Sequence, residues 1–419
     1  MQQSISRANA PRRIRKNNAL AALHALHRFG QLSRADLARK MGLNRSSSGN
    51  IIAELTAAGF VREVYEGNKP KRSGHSRAGR PGTLLELVPE AAFFLGAEIG
   101  AEHITTVEID LAANIVRSAT EPFDGNSVPA AEAIACAVRQ TFRDVPQERL
   151  NLCEGFGLTA LARVDARGKI SAAPALGWKD INLIDLAKDA LPINVPVLAE
   201  NDAKAFAIGA TYLQSEAQSG VVVFFVIESG VGGGIAADGR LFRGGGGLAG
   251  EVGHLKMPGR DERNLEQAIG LGRTLALYRS STNREDVGLQ DFLADVRDRV
   301  PDAVTIAEDW AQALAFAVVQ VSCLIDPDRI VLGGAMAELY PLVAARVAAH
   351  IREMKVEGLR SPEIMMSEDQ AHGAAFGAAC IMHQHFFSLE NERLQGTRRP
   401  TRQQSRSDSF FDQPLVDML

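Results

Sequence analysis

From Asn18 the apolar residues Leu20, Leu23, Leu26 and Phe29 recur three apart and stop before Gly30, which predicts one face of a short helix. Ser33-Arg34-Ala35-Asp36 opens a second helix, because a Ser-x-x-Asp start lets the serine oxygen accept a backbone N–H that the first turn leaves free. That helix turns Leu37, Ala38 and Met41 inward and stops at Gly42. Asn44 caps a third, with Ile51, Ile52 and Leu55 as its stripe and Gly59 as its stop. Two short helices joined by the tight Gly42-Leu43-Asn44 turn predict a helix-turn-helix. Phe60–Val64 and Thr83–Leu87 then read as the two strands of a hairpin around residues 68–82, which makes the unit winged.

After Pro89 the pattern alternates between strands and helices. Strands are predicted at Ala92–Ile99, Ile104–Asp110, Gly155–Leu161 and Val195–Leu198, with a helix over Pro129–Phe142 and another from Ala203. A second block opens with the apolar run Val221–Ile227, turns through Gly230-Val231-Gly232-Gly233-Gly234 and returns at Ile235-Ala236. Ile330-Val331-Leu332 then meets Gly333-Gly334 at a helix start. Two α/β blocks, each opening with strands joined by a glycine turn, imply two lobes with a cleft between them.

Charge divides the chain at the same place. Residues 1–82 hold 16 Lys+Arg against 4 Asp+Glu, a net of +12, whereas the remainder nets −16 within a total of −4. A basic head on an acidic body fits a head that meets phosphate backbones. Within it, Arg45, Ser46, Ser47 and Asn50 lie on the face of the third helix away from the Ile/Leu stripe, with Arg34 at the start of the second. Short polar groups beside an Arg suit base edges and phosphates in a major groove. The loop carries Lys69, Lys71, Arg72, Arg77 and Arg80, and an extended Gly79-Arg80-Pro81 suits insertion of an Arg into a narrow minor groove. Arg7, Arg12, Arg13, Arg15 and Lys16 form a leading arm. The arm is acid-free like a transit peptide, but the DNA-binding unit directly behind it argues against that use.

Composition narrows the class further. With 46% hydrophobic and 23% charged residues the chain is globular, and its longest apolar runs are too short to span a membrane. Four scattered cysteines (Cys136, Cys153, Cys323, Cys380) support neither a disulfide framework nor a zinc knuckle, so a cytoplasmic protein is expected. His24 with His27, and His383 with His385, read as surface residues. The stretch from about Leu389 is Arg/Gln/Ser-rich and is expected to be disordered.

The order Glu200-Asn201-Asp202, Gly230-x-Gly-Gly-Gly, Gly250-Glu251-Val252-Gly253-His254 and Leu332-Gly333-Gly334, behind a helix-turn-helix, resembles the ROK family of sugar kinases and sugar-responsive repressors. The resemblance covers roughly residues 12–387. It implies an α/β, two-lobed actin/hexokinase-like (RNase H-like) body behind the winged helix-turn-helix. The implied divisions are a basic arm (1–16), the winged unit (17–88), a first lobe (89–204) completed by a helix near 372–387, a second lobe (205–371) and the tail (388–419). It also implies a sugar site of Asn201, Asp202, Glu251, His254 and Glu266, with the Gly177-Trp178 loop closing nearby. Such a set can grip vicinal hydroxyls bidentately. Asp202 matches the family's general base for phosphoryl transfer.

Two departures from the family pattern weigh against enzyme activity. Family zinc sites add three cysteines just after the motif histidine, but residues 255–266 contain none, so no metal is expected. Where kinases carry Asp-x-Gly-Gly-Thr, this chain has Glu98-Ile99-Gly100-Ala101-Glu102, and Glu228-Ser229 replaces Gly-Thr in the later loop. Carboxylates there repel phosphates, so the loop at Gly230, Gly232, Gly233 and Gly234 is expected to be degenerate, Asp202 vestigial and ATP not a cofactor. The expected function is a sugar-released repressor acting on a palindromic operator as a homodimer or homotetramer, with no membrane partner. A ROK sugar kinase, or a bifunctional kinase-regulator, is the alternative. A third possibility is an architectural DNA-binding protein with a dead sugar fold.

Overall fold

The computed structural model describes residues 10–65, 83–165, 167–213, 219–259, 263–354, 357–358, 360–367 and 373–387. The head comprises α1 (Ala10–Phe29), β1 (Leu32–Ser33), α2 (Arg34–Lys40), α3 (Arg45–Ala57), β2 (Val61–Tyr65) and β3 (Thr83–Leu87). Its caps are those the sequence predicts. Ser33 Oγ accepts the Asp36 N–H at 3.1 Å and Asn44 Oδ1 accepts the Ser47 N–H at 2.8 Å. β3 lies between β1 and β2 in an antiparallel sheet; two-residue β1 is too short for its alternation to register in the sequence.

α1 starts at Ala10 and not at Asn18, so residues 10–16, expected in a flexible arm, are helical. Pro11 sits in the first turn, where its missing N–H costs nothing, and good helix formers follow. Residues 1–9, the wing residues 66–82 with Arg77 and Arg80, and the tail 388–419 lie outside the described residues.

The first lobe contains β4 (Phe93–Ile99), β5 (His103–Asp110), β6 (Ile115–Pro122), α4 (Ala130–Phe142), β7 (Cys153–Ala160), the hairpin β8 (Lys169–Ala173) and β9 (Trp178–Asn182), α5 (Leu183–Ala190) and β10 (Val197–Asn201). α6 (Asp202–Leu213) follows without a break across the expected lobe boundary at 204/205. The second lobe contains β11 (Val221–Ile227), β12 (Val231–Ala237), β13 (Arg240–Leu241), α7 (Leu265–Ile269), α8 (Leu271–Thr282), α9 (Leu289–Arg297), α10 (Pro301–Ile325), β14 (Arg329–Gly333), α11 (Tyr340–Met354) and β15 (Glu363–Met366). The chain then returns as α12 (Gly373–Phe386) to pack on β4, β5 and β7.

The two sheets share one plan. In each, three strands form an antiparallel meander, and two more extend the first strand in parallel: β10-β7-β4-β5-β6 and β15-β14-β11-β12-β13. In open sheets with parallel strands, ligands bind beyond the carboxyl ends of those strands, and β10 ends at Asn201.

Helices α6 and α12 lie between the sheets at backbone contact. A Cβ on Gly377 would sit 1.7 Å from the Ala205 carbonyl oxygen, and one on Gly96 2.1 Å from that of Ala375. The same tight packing corrects the reading of the glycine run. Only Gly230 lies in the turn. Gly232, Gly233 and Gly234 are within β12, paired with Val226, Phe225 and Phe224, and Cβ atoms on Gly232 and Gly234 would meet Ala203 and Ala207 of α6.

The head is not a bead on a string. Leu23, Leu26, Phe60 and Leu85 share one buried core with Phe94, Ile109 and Phe386 of the body. His383, expected at the surface, is fully buried in α12. Its Nε2 faces the Leu111 carbonyl at 2.9 Å and its Nδ1 the Tyr212 hydroxyl at 3.1 Å, which is how a polar ring is accommodated there. His27 is half-buried against it, and His24 remains exposed.

Candidate functional site

β10 and the first turn of α6 deliver Glu200, Asn201, Asp202 and Lys204 to one wall of the cleft, and the loop after β7 adds Arg163. The segment between β13 and α7 brings Arg243, Gly247, Glu251 and His254 to the other. Three cationic side chains, Lys204, Arg163 and Arg243, bridge the walls. Lys204 Nζ donates to Glu251 Oε1 at 3.1 Å and to the Gly247 carbonyl at 2.5 Å. Arg163 Nη2 meets His254 Nε2 at 2.6 Å, with its Nε 3.8 Å from Glu251 Oε2. Arg243 Nε donates to Glu200 Oε2 at 3.1 Å.

Chemistry fixes what each group can still offer. Arginine does not deprotonate, so His254 Nε2 is the acceptor and its Nδ1 carries the proton, available to a ligand oxygen. Asn201 is largely committed: Nδ2 donates to the Ala162 carbonyl at 3.0 Å and to Asp202 Oδ1 at 2.6 Å, and Oδ1 accepts the Lys204 N–H at 3.1 Å. It acts first as a cap on α6 and retains one lone pair. Burial raises the Asp202 carboxyl to about 6, against the Ala203 and Asp202 backbone N–H groups and reinforced by Glu251 and Glu228.

Glu266 and Trp178 each have a structural partner in the fold. Glu266 Oε2 accepts the Val231 N–H at 3.1 Å, which ties α7 to the glycine turn. Trp178 lies buried in the first-lobe core, its Nε1 donating to the Val128 carbonyl at 3.3 Å. Lys204 and Arg163, by contrast, belong to no motif yet pair directly with Glu251 and His254. A signal for Lys204 was present: a single lysine in an α6 that otherwise reads Ala-x-Ala-Phe-Ala-Ile.

Beside Gly334 and the start of α12, carboxylates accept backbone N–H groups. Glu228 Oε1 accepts the Ala335 N–H at 2.8 Å, beside Gly334, whose φ of +84° opens the turn. Burial raises the Glu228 carboxyl, opposed by that N–H. Glu98 is pushed up to about 8 by burial and by the charges of Asp202 and Glu228, opposed by the Ala375 N–H. Glu102 is exposed in the β4–β5 turn. The donor set does not suit zinc either: His254 Nε2 is occupied by a guanidinium, and the residues after it supply no thiolate.

On the head, Arg45, Ser46 and Asn50 are exposed along one face of α3, Ser47 is half-buried and Ser48 turns inward. A Cβ at Gly49 would meet nothing within 4 Å, so no internal packing requires glycine there. Arg34 is engaged by Glu63 of β2 through both Nε and Nη2.

The pattern of the ROK family matches residues 94–385, and that of the MarR family residues 16–72. The xylose repressor of Bacillus spizizenii is 23% identical over 386 residues, covering 90% of this chain and 97% of that protein. The transcriptional dual regulator NagC of Escherichia coli K12 is 21% identical over 388 residues, covering 88% and 93%. Among solved structures, a ROK family transcriptional regulator homologous to the E. coli MLC protein superposes with a TM-score of 0.76 at 20% identity, over 91% and 99% of the two chains. A Streptomyces griseus ROK glucokinase bound to glucose and AMPPNP gives 0.60 at 21% identity, over 70% and 100%. No described helix is long and apolar enough to cross a membrane, and no described cluster of His, Cys, Asp and Glu could hold a metal ion.

Proposed function

The chain belongs to the ROK family, and from that premise we propose that it is a sugar-responsive transcriptional repressor of carbohydrate uptake or catabolism genes. One observation carries the reading: a winged helix-turn-helix shares a continuous core with the lobe that presents Asn201 and Asp202 to the cleft. A sugar held by Asp202, Glu251 and His254 changes the lobe geometry and releases DNA. It does so by binding the released state better, with a coupling of about 1–3 kcal/mol. Arg45, Ser46, Ser47 and Asn50 read bases, with Arg77 and Arg80 of the wing as further contacts. Arg34 contributes only if it leaves Glu63. The site of action is the cytoplasm, and the DNA partner is a palindromic operator bound by a homodimer or homotetramer.

Catalysis is not part of this reading. The Glu228 carboxylate already accepts the Ala335 N–H, which supports a reading in which that donor is not offered to a phosphate and neither ATP nor zinc is used. The kinase alternative retains one favourable observation, an Asp202 carboxyl near 6, suited to a general base. A labelled duplex selected by the protein from a random library decides between them. D-xylose, D-glucose and N-acetyl-D-glucosamine are titrated into the complex, and each is assayed for ATP-dependent phosphorylation. Release of DNA by one sugar at millimolar concentration or below, without turnover, is expected. Turnover that Asp202→Asn abolishes would overturn the proposal.

A further inference from the structure

We propose that the junction of Tyr212, His383 and His27 is the element that couples the cleft to the DNA-binding head. The inference rests on the regulatory reading above and supplies the route it needs. α6 begins in the cleft, with Asn201 as its cap, Asp202 as its first residue and Lys204 bridging to the opposite wall. Tyr212 lies ten residues further on, roughly 15 Å along the helix axis. α6 cannot slip freely along α12. Besides the contact of Gly377 with Ala205, a Cβ on Gly209 would sit 3.1 Å from the Gly373 carbonyl oxygen. A tilt of α6 imposed at Lys204 therefore reaches Tyr212 and α12 together.

At that far end one imidazole ties three elements. His383 Nε2 must carry its single proton, because it faces the Leu111 carbonyl at 2.9 Å. Nδ1 is then the acceptor for the Tyr212 hydroxyl at 3.1 Å. Burial keeps the ring neutral, and hence in this tautomer, at physiological pH. The head meets this pair through α1. The His27 ring lies 4.7 Å from that of His383 and 5.8 Å from that of Tyr212, and Phe387 stacks on it at 5.8 Å.

Among the described residues the head meets the body through apolar and ring contacts, with Leu23, Leu26, Phe60 and His27 against Phe94, His383 and Phe386, whereas the two hydrogen bonds of His383 lie within the body. Apolar surfaces tolerate sliding. Hydrogen bonds lose strength steeply with misalignment, and a buried donor or acceptor left unmade is costly. The pair thus turns a graded tilt of α6 into a choice between two placements of the His383 ring, and the head follows through the His27 ring packed on it.

The test is a double-mutant cycle on the full chain, with Lys204→Met as the perturbation in the cleft and Tyr212→Phe, which removes one hydroxyl, as the perturbation at the junction. Amide hydrogen exchange of residues 19–29 in α1 is the deciding readout, and affinity for the library-selected duplex accompanies it. Distant, independent changes should add. The junction predicts that Lys204→Met alters α1 exchange by roughly threefold or more in the parent chain and that Tyr212→Phe removes most of this change. His27→Leu, placed among apolar neighbours, should act as Tyr212→Phe does if that variant proves unstable. Additive behaviour within about twofold, including no response of α1 to Lys204→Met, overturns the proposal. Coupled exchange in a chain that binds no DNA keeps the junction and overturns the regulatory reading instead.

Discussion

Glu251→Ala is expected to destabilise the protein by about 3–5 kcal/mol as well as to abolish sugar binding. The reason is its partner. Lys204 is 1% exposed, and Glu251 is its carboxylate; without it the ammonium keeps only the Gly247 carbonyl. An uncompensated buried charge is far costlier than the loss of a surface ion pair. The double variant Lys204→Met/Glu251→Ala replaces the pair with apolar volume and should recover most of the lost stability while remaining unable to bind sugar. Urea midpoints of the parent, the single and the double variant check this. A double variant as unstable as Glu251→Ala would mean that Glu251 stabilises the cleft by some means other than Lys204.

Acidification is the second large effect. Burial lowers His383 from 6.5 to about 3 and His27 from 6.5 to about 4, with His24 adding to the second shift and Asp110 opposing it. The unfolded chain therefore takes up protons below pH 6.5 that the native junction refuses. Stability present above that pH is lost as pH falls toward the folded values, on the order of 2 kcal/mol per histidine between pH 6.5 and 5. Glu98 acts in the opposite sense. Its native carboxyl holds a proton up to about 8 that the unfolded chain releases near 4.5, so its contribution declines as pH rises across that window. Melting temperature against pH should thus fall on both sides of a maximum near pH 6. His383→Asn should flatten the acid limb and Glu98→Gln the alkaline one, each leaving the other limb in place. An unchanged acid limb in His383→Asn would mean that the junction histidine is not buried as described.

Much of this organisation was legible from local chemistry. Ser33 and Asn44 cap α2 and α3 because a helix start is decided within four residues. Apolar runs broken by glycine mark β4, β5, β7, β11, β12 and β14, whereas β6, β8, β9, β13 and β15 and the order of strands within each sheet were not read from the sequence. Features that depend on distant partners were not legible. Glu251 reads as a sugar ligand in the motif, yet its tie to Lys204, 47 residues away, appears only when β12 lays the second lobe against α6. Glu266 follows the motif order but is used to hold the backbone at Val231.

Glycine misled in its own way. With no side chain to alternate, Gly232, Gly233 and Gly234 look like a loop, whereas they form a strand in which Gly232 and Gly234 let α6 approach and Gly233 lets the Gly250–Val252 segment approach the other face. His383 was readable and was missed. α12 is apolar on every face from Ala374 to Met382, so a histidine directly after that run should be expected to find buried partners.

The measurement that bears most directly on the central claim, that the cleft holds a sugar through Glu251 and its neighbours, is a thermal-shift titration with sugars, amino sugars, polyols and their phosphates. It is run on the parent chain and on Glu251→Gln, which keeps a hydrogen-bond acceptor for Lys204 and so loses less stability than the alanine variant. The account predicts that one compound raises the melting temperature of the parent and does nothing to Glu251→Gln. A compound that shifts both equally would put the ligand elsewhere, and no shift with any of them at millimolar concentration would contradict the claim that this cleft reads sugar.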